Sequence, residues 1–254
     1  MNTRKDQLKA FNRLLDIMDE LREKCPWDRK QTNETLRTLS IEEIYELSDA
    51  IIENDSDEIK KELGDVFLHL VFYSKIAAEK QEFDVADVLN SICDKLIHRH
   101  PHIYGDVNAD SEEKVLQNWE KLKLKEGNTS VLSGVPTSLP AMVKAYRIQD
   151  KVKGVGFEFE NSDQVFDKIQ EEIIEFKNES NPIDREMEFG DILFSLVNYG
   201  RFVGINAEDA LEKSNKKFIK RFQILELLAK EKGLILGDID LNDLDELWNI
   251  AKIR

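Results

Sequence analysis

Residues 42–65 read EEIYELSDAIIENDSDEIKKELGD, and residues 171–191 read EEIIEFKNESNPIDREMEFGD. Both carry EExxE followed thirteen to sixteen residues later by ExGD. The first copy supplies Glu42, Glu43 and Glu46 with Glu62 and Asp65, the second Glu171, Glu172 and Glu175 with Glu188 and Asp191. Carboxylates three residues apart share one face of an α-helix, with Cβ atoms ~5–6 Å apart. If two such helices form an antiparallel hairpin with axes ~8–10 Å apart, the four carboxylates converge on a space suited to a hard divalent cation. Magnesium is the expected ion.

A single ExxE in a chain that is 34% charged is an ordinary solvated face. Repetition argues for more, because both copies run directly into an apolar segment: Val66, Phe67, Leu68, Leu70, Val71 and Phe72 in the first, Ile192, Leu193, Phe194, Leu196 and Val197 in the second. Carboxylates at the head of a buried helix must be paired, protonated or bound to a metal.

The length of 254 residues admits one large or two ordinary domains, and the duplication favours two. Thirty-six basic against fifty-one acidic residues give a net charge of −15, which opposes nonspecific binding to a nucleic-acid backbone. A small anionic ligand carrying its own magnesium is compatible with that charge. The first residues, MNTRKDQLKAFNRLL, form no signal sequence, and no apolar run approaches membrane-spanning length, so a soluble cytoplasmic protein is expected. Cys25 and Cys93 lie far apart and in no metal-binding spacing, which suits reduced thiols.

Glycine and proline are scarce and strand-like alternation is absent, so the fold class is all-α. The periodicity predicts a first helix over about residues 6–23, with Phe11, Leu14, Leu15, Met18 and Leu21 as its apolar stripe, and a second over about 35–53. Ser40 with Glu43 also fits a capping box, which would start that second helix later. A third helix begins near Asp57, and a fourth is capped by Asp84 and stopped by Pro101. The second half repeats the plan. A helix starts near Asp163, the chain breaks at Pro182, a helix runs over about 184–203 with Gly204 in the left-handed position, and Asn206 caps a long helix. Between ExGD and the cap the halves differ by four residues, about one helical turn, so the difference lengthens a helix and keeps its faces in register. The turn-forming stretch EGNTSVLSGVPTSLP (126–140) reads as a linker. The expected division is residues 1–124, a connecting segment 125–155, and residues 156–254.

Eleven and fifteen residues after the Asp84 cap stand Lys95 and Arg99; Lys217 and Arg221 follow Asn206 at the same distances. Spaced i, i+4, each pair sets two cations on one helical face. Alone such pairs are solvent-exposed charges, but recurring after the acidic motif they suggest phosphate ligands, a point charge beside a planar fork. Trp119 and Trp248 are open to two readings, ordinary packing or a base-stacking surface. His69, on an apolar helix face, reads as a core residue, and His98, His100 and His102 around Pro101 as structural or surface groups at a helix end, with metal binding as the lesser alternative. No Glu-x-x-His occurs, which excludes the ligand set of a ferritin-like di-iron bundle.

CPWDRKQTNETL (25–36), EEIYE (42–46), ELGDVFLHLVFY (62–73) and HRHPHIYG (98–105), followed by GVGFEF (154–159), EEIIE (171–175), EFGDILFSLVN (188–198) and NKKFIKRF (215–222), together resemble the two-domain MazG-like nucleoside triphosphate pyrophosphohydrolases. The resemblance spans about residues 6–252. Asn33 stands where such proteins often have histidine and Ser40 where leucine is common, neither at a carboxylate of the motif. The resemblance implies tandem four-helix-bundle-like domains in an interlocked homodimer. It also implies magnesium dependence, with manganese as a substitute, and hydrolysis of nucleoside triphosphates, ATP among them, to monophosphate and pyrophosphate.

That chemistry needs water aligned on the α phosphorus, a metal at phosphate oxygens and cations on the leaving pyrophosphate. On this reading Glu172, Glu175, Glu188 and Asp191 hold the metal, with Glu43, Glu46, Glu62 and Asp65 as the N-terminal counterparts. Glu171 orients or deprotonates water, Lys217 and Arg221 hold phosphates with Lys95 and Arg99 as counterparts, and Trp248 faces the base, with Trp119 its N-terminal counterpart. Aligned copy on copy, Lys168 falls opposite Leu39 and Arg185 opposite Ile59, so two further cations favour the second half as the more active. The alternative is that Lys168 and Arg185 make ordinary intrahelical ion pairs. The competing function is a noncatalytic helical dimer that binds nucleotide or a protein partner; retention of every carboxylate in both halves favours the enzyme. A coiled-coil scaffold fails because the helices are short and broken by turns.

Overall fold

The structure, a computed structural model, describes residues 2–106, 111, 114–115 and 130–253. Among these residues the only regular elements are helices, as the all-α expectation requires. The chain divides into two compact units, Met1–Ala109 and Asp110–Arg254. None of the described helices is long and apolar enough to cross a membrane.

In the first unit α1 (Arg4–Lys24) begins at a reciprocal cap in which Thr3 accepts from the Asp6 amide and the Asp6 side chain accepts from the Thr3 amide. After a single 3-10 turn (Asp28–Lys30) come α2 (Asn33–Glu53) and α3 (Ser56–Glu79). Asn54 at φ 56°, a left-handed conformation that asparagine tolerates, ends α2, and Asp55 caps α3 through the Asp57 and Glu58 amides. Two residues therefore suffice to reverse the chain into an α2–α3 hairpin. The capping-box reading of Ser40 is corrected here. Thr32 caps α2 eight residues earlier on the Thr35 amide, and mid-helix Ser40 donates to the Leu36 carbonyl and shares a hydrogen bond with the Tyr73 hydroxyl at 2.8 Å.

The α1 stripe packs on α3 around buried Met18, Leu36, Val71, Phe72 and Ile76, with Phe11, Leu14, Leu15 and Leu68 against them. Burying a side chain such as Leu36 is worth about 1.5–3 kcal/mol, which fixes the hairpin against α1. Arg22 adds a polar clamp: its Nε donates to Glu79 at the end of α3 at 2.9 Å, and Nη1 donates to the Asp28 and Gln31 carbonyls. α4 (Val85–Arg99) is capped by Asp84 and is followed by a one-turn helix, α5 (Pro101–Tyr104).

In the second unit α6 (Ala141–Lys153) packs on α8 although its residues read as connecting segment in the sequence. α7 (Ser162–Asn178) and α8 (Pro182–Phe202) form the second hairpin, capped by Asn161 and Asn181. Pro182 occupies the first turn of α8, where its missing amide hydrogen costs nothing, so the helix begins at the proline and not two residues beyond it. Most of the four-residue difference between the halves is taken up in helix length, since α3 runs on to Glu79 and α8 stops at Phe202. At that stop Gly204 has φ +74° and the Ile205 amide donates back to the Gly200 carbonyl at 2.7 Å. α9 (Ala207–Glu231), capped by Asn206, touches α6 and α8, and packs with α10 (Leu241–Ala251) around Leu225, Leu228, Ala229 and Leu247.

Candidate metal centre

Each hairpin brings carboxylates from its two helices to one place. In the first, Glu43 of α2 and Glu62 and Asp65 of α3 each offer an oxygen within 4.8 Å of the others; in the second, Glu172 of α7 does so with Glu188 and Asp191 of α8. The sequence pattern predicts four carboxylates in each group, and the described geometry gathers three. Glu46 and Glu175, one turn further along α2 and α7, are exposed and fall outside the groups. Glu42 and Glu171, on the remaining positions of the same turns, are exposed as well.

The electrostatics of the two groups differ. In the first unit Glu62 is buried, its Oε1 receives a hydrogen bond from Lys61 at 2.8 Å, and its buried Oε2 has no partner among the described residues. The Glu43 carboxyl is pushed above its usual value by burial and then by the charges of Asp65, Glu46, Glu62 and Glu42. His69, one turn beyond Asp65, is buried and held below the usual imidazole value by desolvation, partly offset by Asp65. It is a core residue, as its apolar surroundings in the sequence imply.

In the second unit the buried member is Glu172, on the first helix of the hairpin rather than the second. Lys168 bridges it at 2.8 Å and Glu171 at 2.9 Å, and these two hydrogen bonds drive the lysine strongly upward. The Glu175 carboxyl is raised, first by its hydrogen bond with Glu172, then by burial and the Glu172 charge, with Lys168 opposing. Lys168 therefore makes the intrahelical pairs that were one of its two readings. Arg185 lies over the Phe176 ring at 4.8 Å, a cation–π contact in place of an ion pair with Glu188.

The donor set fits a hard divalent cation on three counts. All the triplet oxygens are carboxylate oxygens, Glu43 within the first triplet is raised by burial and then by its acidic neighbours, and the buried Oε2 of Glu62 has no partner among the described residues. Lys61 escaped the sequence comparison because neighbours i, i+1 do not face each other on a helix. Its only signal was an alignment opposite Met187, which marks a cation particular to the first half.

The basic and aromatic candidates lie on the last helices of each unit. Lys95 is exposed and Arg99 half-buried on α4; Lys217 is exposed and Arg221 half-buried on α9. Trp248 is half-buried on α10, 5.1 Å from the Phe218 ring and packed against the Leu225–Leu247 cluster. Trp119 lies outside the described residues.

Residues 31–104 match the MazG nucleotide pyrophosphohydrolase domain family. The whole chain is similar to a nucleoside triphosphate pyrophosphohydrolase/pyrophosphatase MazG of Thermotoga maritima, 42% identical over 247 residues that cover 95% of each chain. It is 39% identical over 257 residues to a nucleoside triphosphate pyrophosphohydrolase of Escherichia coli strain K12, covering 96% of this chain and 98% of that one. The uncharacterized protein YabN of Bacillus subtilis is 44% identical over 95% of this chain, which spans 51% of that protein. Identity at this level over nearly the full length, on an all-helical fold whose two hairpins both carry the acidic motif, places the chain in the MazG family of nucleoside triphosphate pyrophosphohydrolases.

Proposed function

We propose that the protein hydrolyses nucleoside triphosphates between the α and β phosphates, releasing monophosphate and pyrophosphate. The observation that carries this reading is the carboxylate triplet repeated on two helical hairpins, with a lysine on the buried member in each. In the second unit Glu172, Glu188 and Asp191 would hold Mg2+, or Mn2+, with Glu175 joining from one turn away. Glu43, Glu62 and Asp65 with Glu46 would do so in the first. Such an ion, when bound, supplies positive charge at the phosphate oxygens. Glu171 is the candidate to orient or deprotonate the attacking water, since it is exposed beside the triplet and tethered by Lys168. Lys217 and Arg221, with Lys95 and Arg99 in the first unit, are the candidates for the leaving pyrophosphate, a point charge and a fork against its oxygens.

The same reading includes two MazG-type domains in a cytoplasmic homodimer acting on free nucleotides, without a membrane or nucleic-acid polymer. Support for assembly comes from α4, which buries none of its residues yet exposes Val88, Leu89, Ile92 and Leu96 by 42–48% along one face. An apolar stripe of this kind calls for a cover. Assaying a panel of standard, deoxy and damaged nucleoside triphosphates for pyrophosphate tests the reading. Pyrophosphate should appear with Mg2+ and cease in chelator. Orthophosphate as the only initial product, or full turnover in chelator, would overturn it.

A further inference from the structure

The two carboxylate triplets are not equivalent holders of an ion. In the first unit the members are half-buried Glu43, buried Glu62 and half-buried Asp65; in the second they are buried Glu172, half-buried Glu188 and exposed Asp191. Glu62 is 3% exposed, and its Oε2 is enclosed without a partner among the described residues. Buried polar atoms in folded proteins are nearly always paired, and a carboxylate is among the costliest to leave otherwise. Lys61 does not meet this need. Its Nζ lies 2.8 Å from the other oxygen, on a side chain that stands 61% exposed in water. His69, one turn beyond Asp65 on α3 and 8% exposed, likewise keeps Nδ1 enclosed without a described partner. Two such atoms within two turns of α3, together with three converging carboxylates, point to an occupant that brings positive charge and hydrogen-bonding water, as a partly hydrated hard cation does.

In the second unit the buried carboxyl is already engaged. Lys168 reaches Glu172 at 2.8 Å from a side chain only 35% exposed, and Glu175 hydrogen-bonds with the same carboxyl. An ion entering there must displace an ammonium and break the Glu172–Glu175 contact, whereas in the first unit it meets an oxygen that has no such contact to give up. The hairpins differ in stiffness as well. Asn54 and Asp55 alone join α2 to α3, the first in the left-handed conformation and the second bonded to the Asp57 and Glu58 amides, while residues 179–181 join α7 to α8. The affinity of an all-oxygen site rises with the uncompensated charge of its ligands and with their rigidity, and both comparisons favour the first unit.

We propose that Glu43, Glu62 and Asp65 form a resident divalent-cation site that fastens the α2–α3 hairpin, taking its ion before the Glu172, Glu188 and Asp191 group and holding it more tightly. The second group exchanges its ion with solvent. The proposal rests on the metal assignments argued above and adds an order of binding and a structural role for the first unit. An ion bridging Glu43 on α2 to Glu62 and Asp65 on α3 ties the two helices together near the middle of the hairpin, where the remaining contacts between them are side-chain packing.

The test titrates Mn2+ into the metal-stripped, full-length protein without nucleotide and reads the free ion by electron paramagnetic resonance. Wild type should bind a first equivalent per chain about tenfold or more tightly than a second. At that one equivalent, amide hydrogen exchange followed by mass spectrometry should slow across residues 42–65 and not across 171–191. Glu62→Gln, which keeps the size of the side chain, should weaken the tight class about tenfold or more and abolish that protection. Glu43→Gln, a change on the facing helix at a half-buried position, should do the same and serves if Glu62→Gln fails to fold. Glu188→Gln should leave the tight class intact and weaken the other. Two classes of equal affinity, a tight class that survives both first-unit variants or is lost in Glu188→Gln, or slowed exchange over 171–191 in place of 42–65 would overturn the proposal. So would a wild type that binds no Mn2+. Wild type that releases pyrophosphate from a triphosphate yet binds both equivalents alike would defeat this inference and leave the hydrolysis reading standing; tight binding in the first unit with no triphosphate hydrolysed would do the reverse.

Discussion

Lys168→Met removes a cation that bridges Glu171 and Glu172, and it offers a measurement of how the acidic cluster is balanced. Glu172 has a side chain 8% exposed and Lys168 one 35% exposed, so the pair lies between the surface and buried classes. Exposed helical pairs contribute ~0.3–0.5 kcal/mol, whereas stripping one partner from a buried pair costs ~3–5 kcal/mol. With the lysine a third exposed and screened accordingly, a loss of about 1–2 kcal/mol is expected. For a chain of this size that corresponds to a thermal midpoint lower by roughly 2–8 °C. The assay is thermal unfolding of wild type, Lys168→Met and the control Lys5→Met, each in chelator and in millimolar Mg2+. In chelator Lys168→Met should melt below both others. In Mg2+ at least half of that deficit should disappear, because a cation on Glu172, Glu188 and Asp191 takes over the neutralisation and binds more tightly once the competing ammonium is gone. A deficit of the same size with and without Mg2+ would refute the reasoning, since it would mean that lysine and metal do not act on the same charge. The sign with pH is fixed by the raised lysine: its contribution is complete below the unfolded value near ~10.4 and is lost as pH rises through the folded one.

Glu175→Ala should abolish most turnover and Glu46→Ala should leave most of it, measured as pyrophosphate release; equal losses would indicate two working sites, and the reverse pattern would place activity in the first half. Leu36→Ala, at a fully buried position, should cost about 2–5 kcal/mol in urea unfolding, and a loss under about 1 kcal/mol would show that α1 does not seal the hairpin as described. The Glu79 carboxyl is held below its usual value, chiefly by the hydrogen bond from Arg22, so its contribution is present above the unfolded value near ~4.3 and is lost as pH falls through the folded one. Glu79→Gln should therefore show a shallower loss of stability on acidification than wild type, and identical slopes would remove the Arg22 clamp from the account.

Helix boundaries were legible where side chains close the first turn. Asp84 and Asn206 cap α4 and α9 where the sequence implies, because an Asx side chain ahead of an apolar run serves the free amides whatever the surroundings. Ser40 misleads because the same S-x-x-E spacing inside a helix lets the hydroxyl bond back one turn, here to Leu36. Of the four acidic positions in each half, the three that converge could not be told from the fourth by spacing alone: i, i+3 puts Glu172 and Glu175 on one face, and hairpin depth decides which of them meets Glu188 and Asp191. α6 was hidden for a different reason. It is tied to α8 by Gln149, whose Nε2 donates to the Phe194 carbonyl 45 residues away, a pairing that no local pattern encodes.

The two halves share a carboxylate frame and differ in how it is charged. The buried glutamate is Glu62, on the second helix of its hairpin, in one unit, and Glu172, on the first helix, in the other. Each is met by a lysine absent from the other copy, Lys61 opposite Met187 and Lys168 opposite Leu39. Lys168 reaches two carboxylates within the EExxE turns of α7, whereas Lys61 spreads over Glu58 and Glu62 on α3 and leaves Glu43 among uncompensated neighbours. Counting cations in the sequence therefore gives the second half an advantage that is partly returned by Lys61. What remains distinct is placement: Lys168 balances the helix that also carries Glu171, the candidate to orient water, and the first unit has no described ion pair at Glu42 to match it. If activity does reside in the second half, the difference lies in which helix carries the compensated charge, more than in the number of acidic or basic groups.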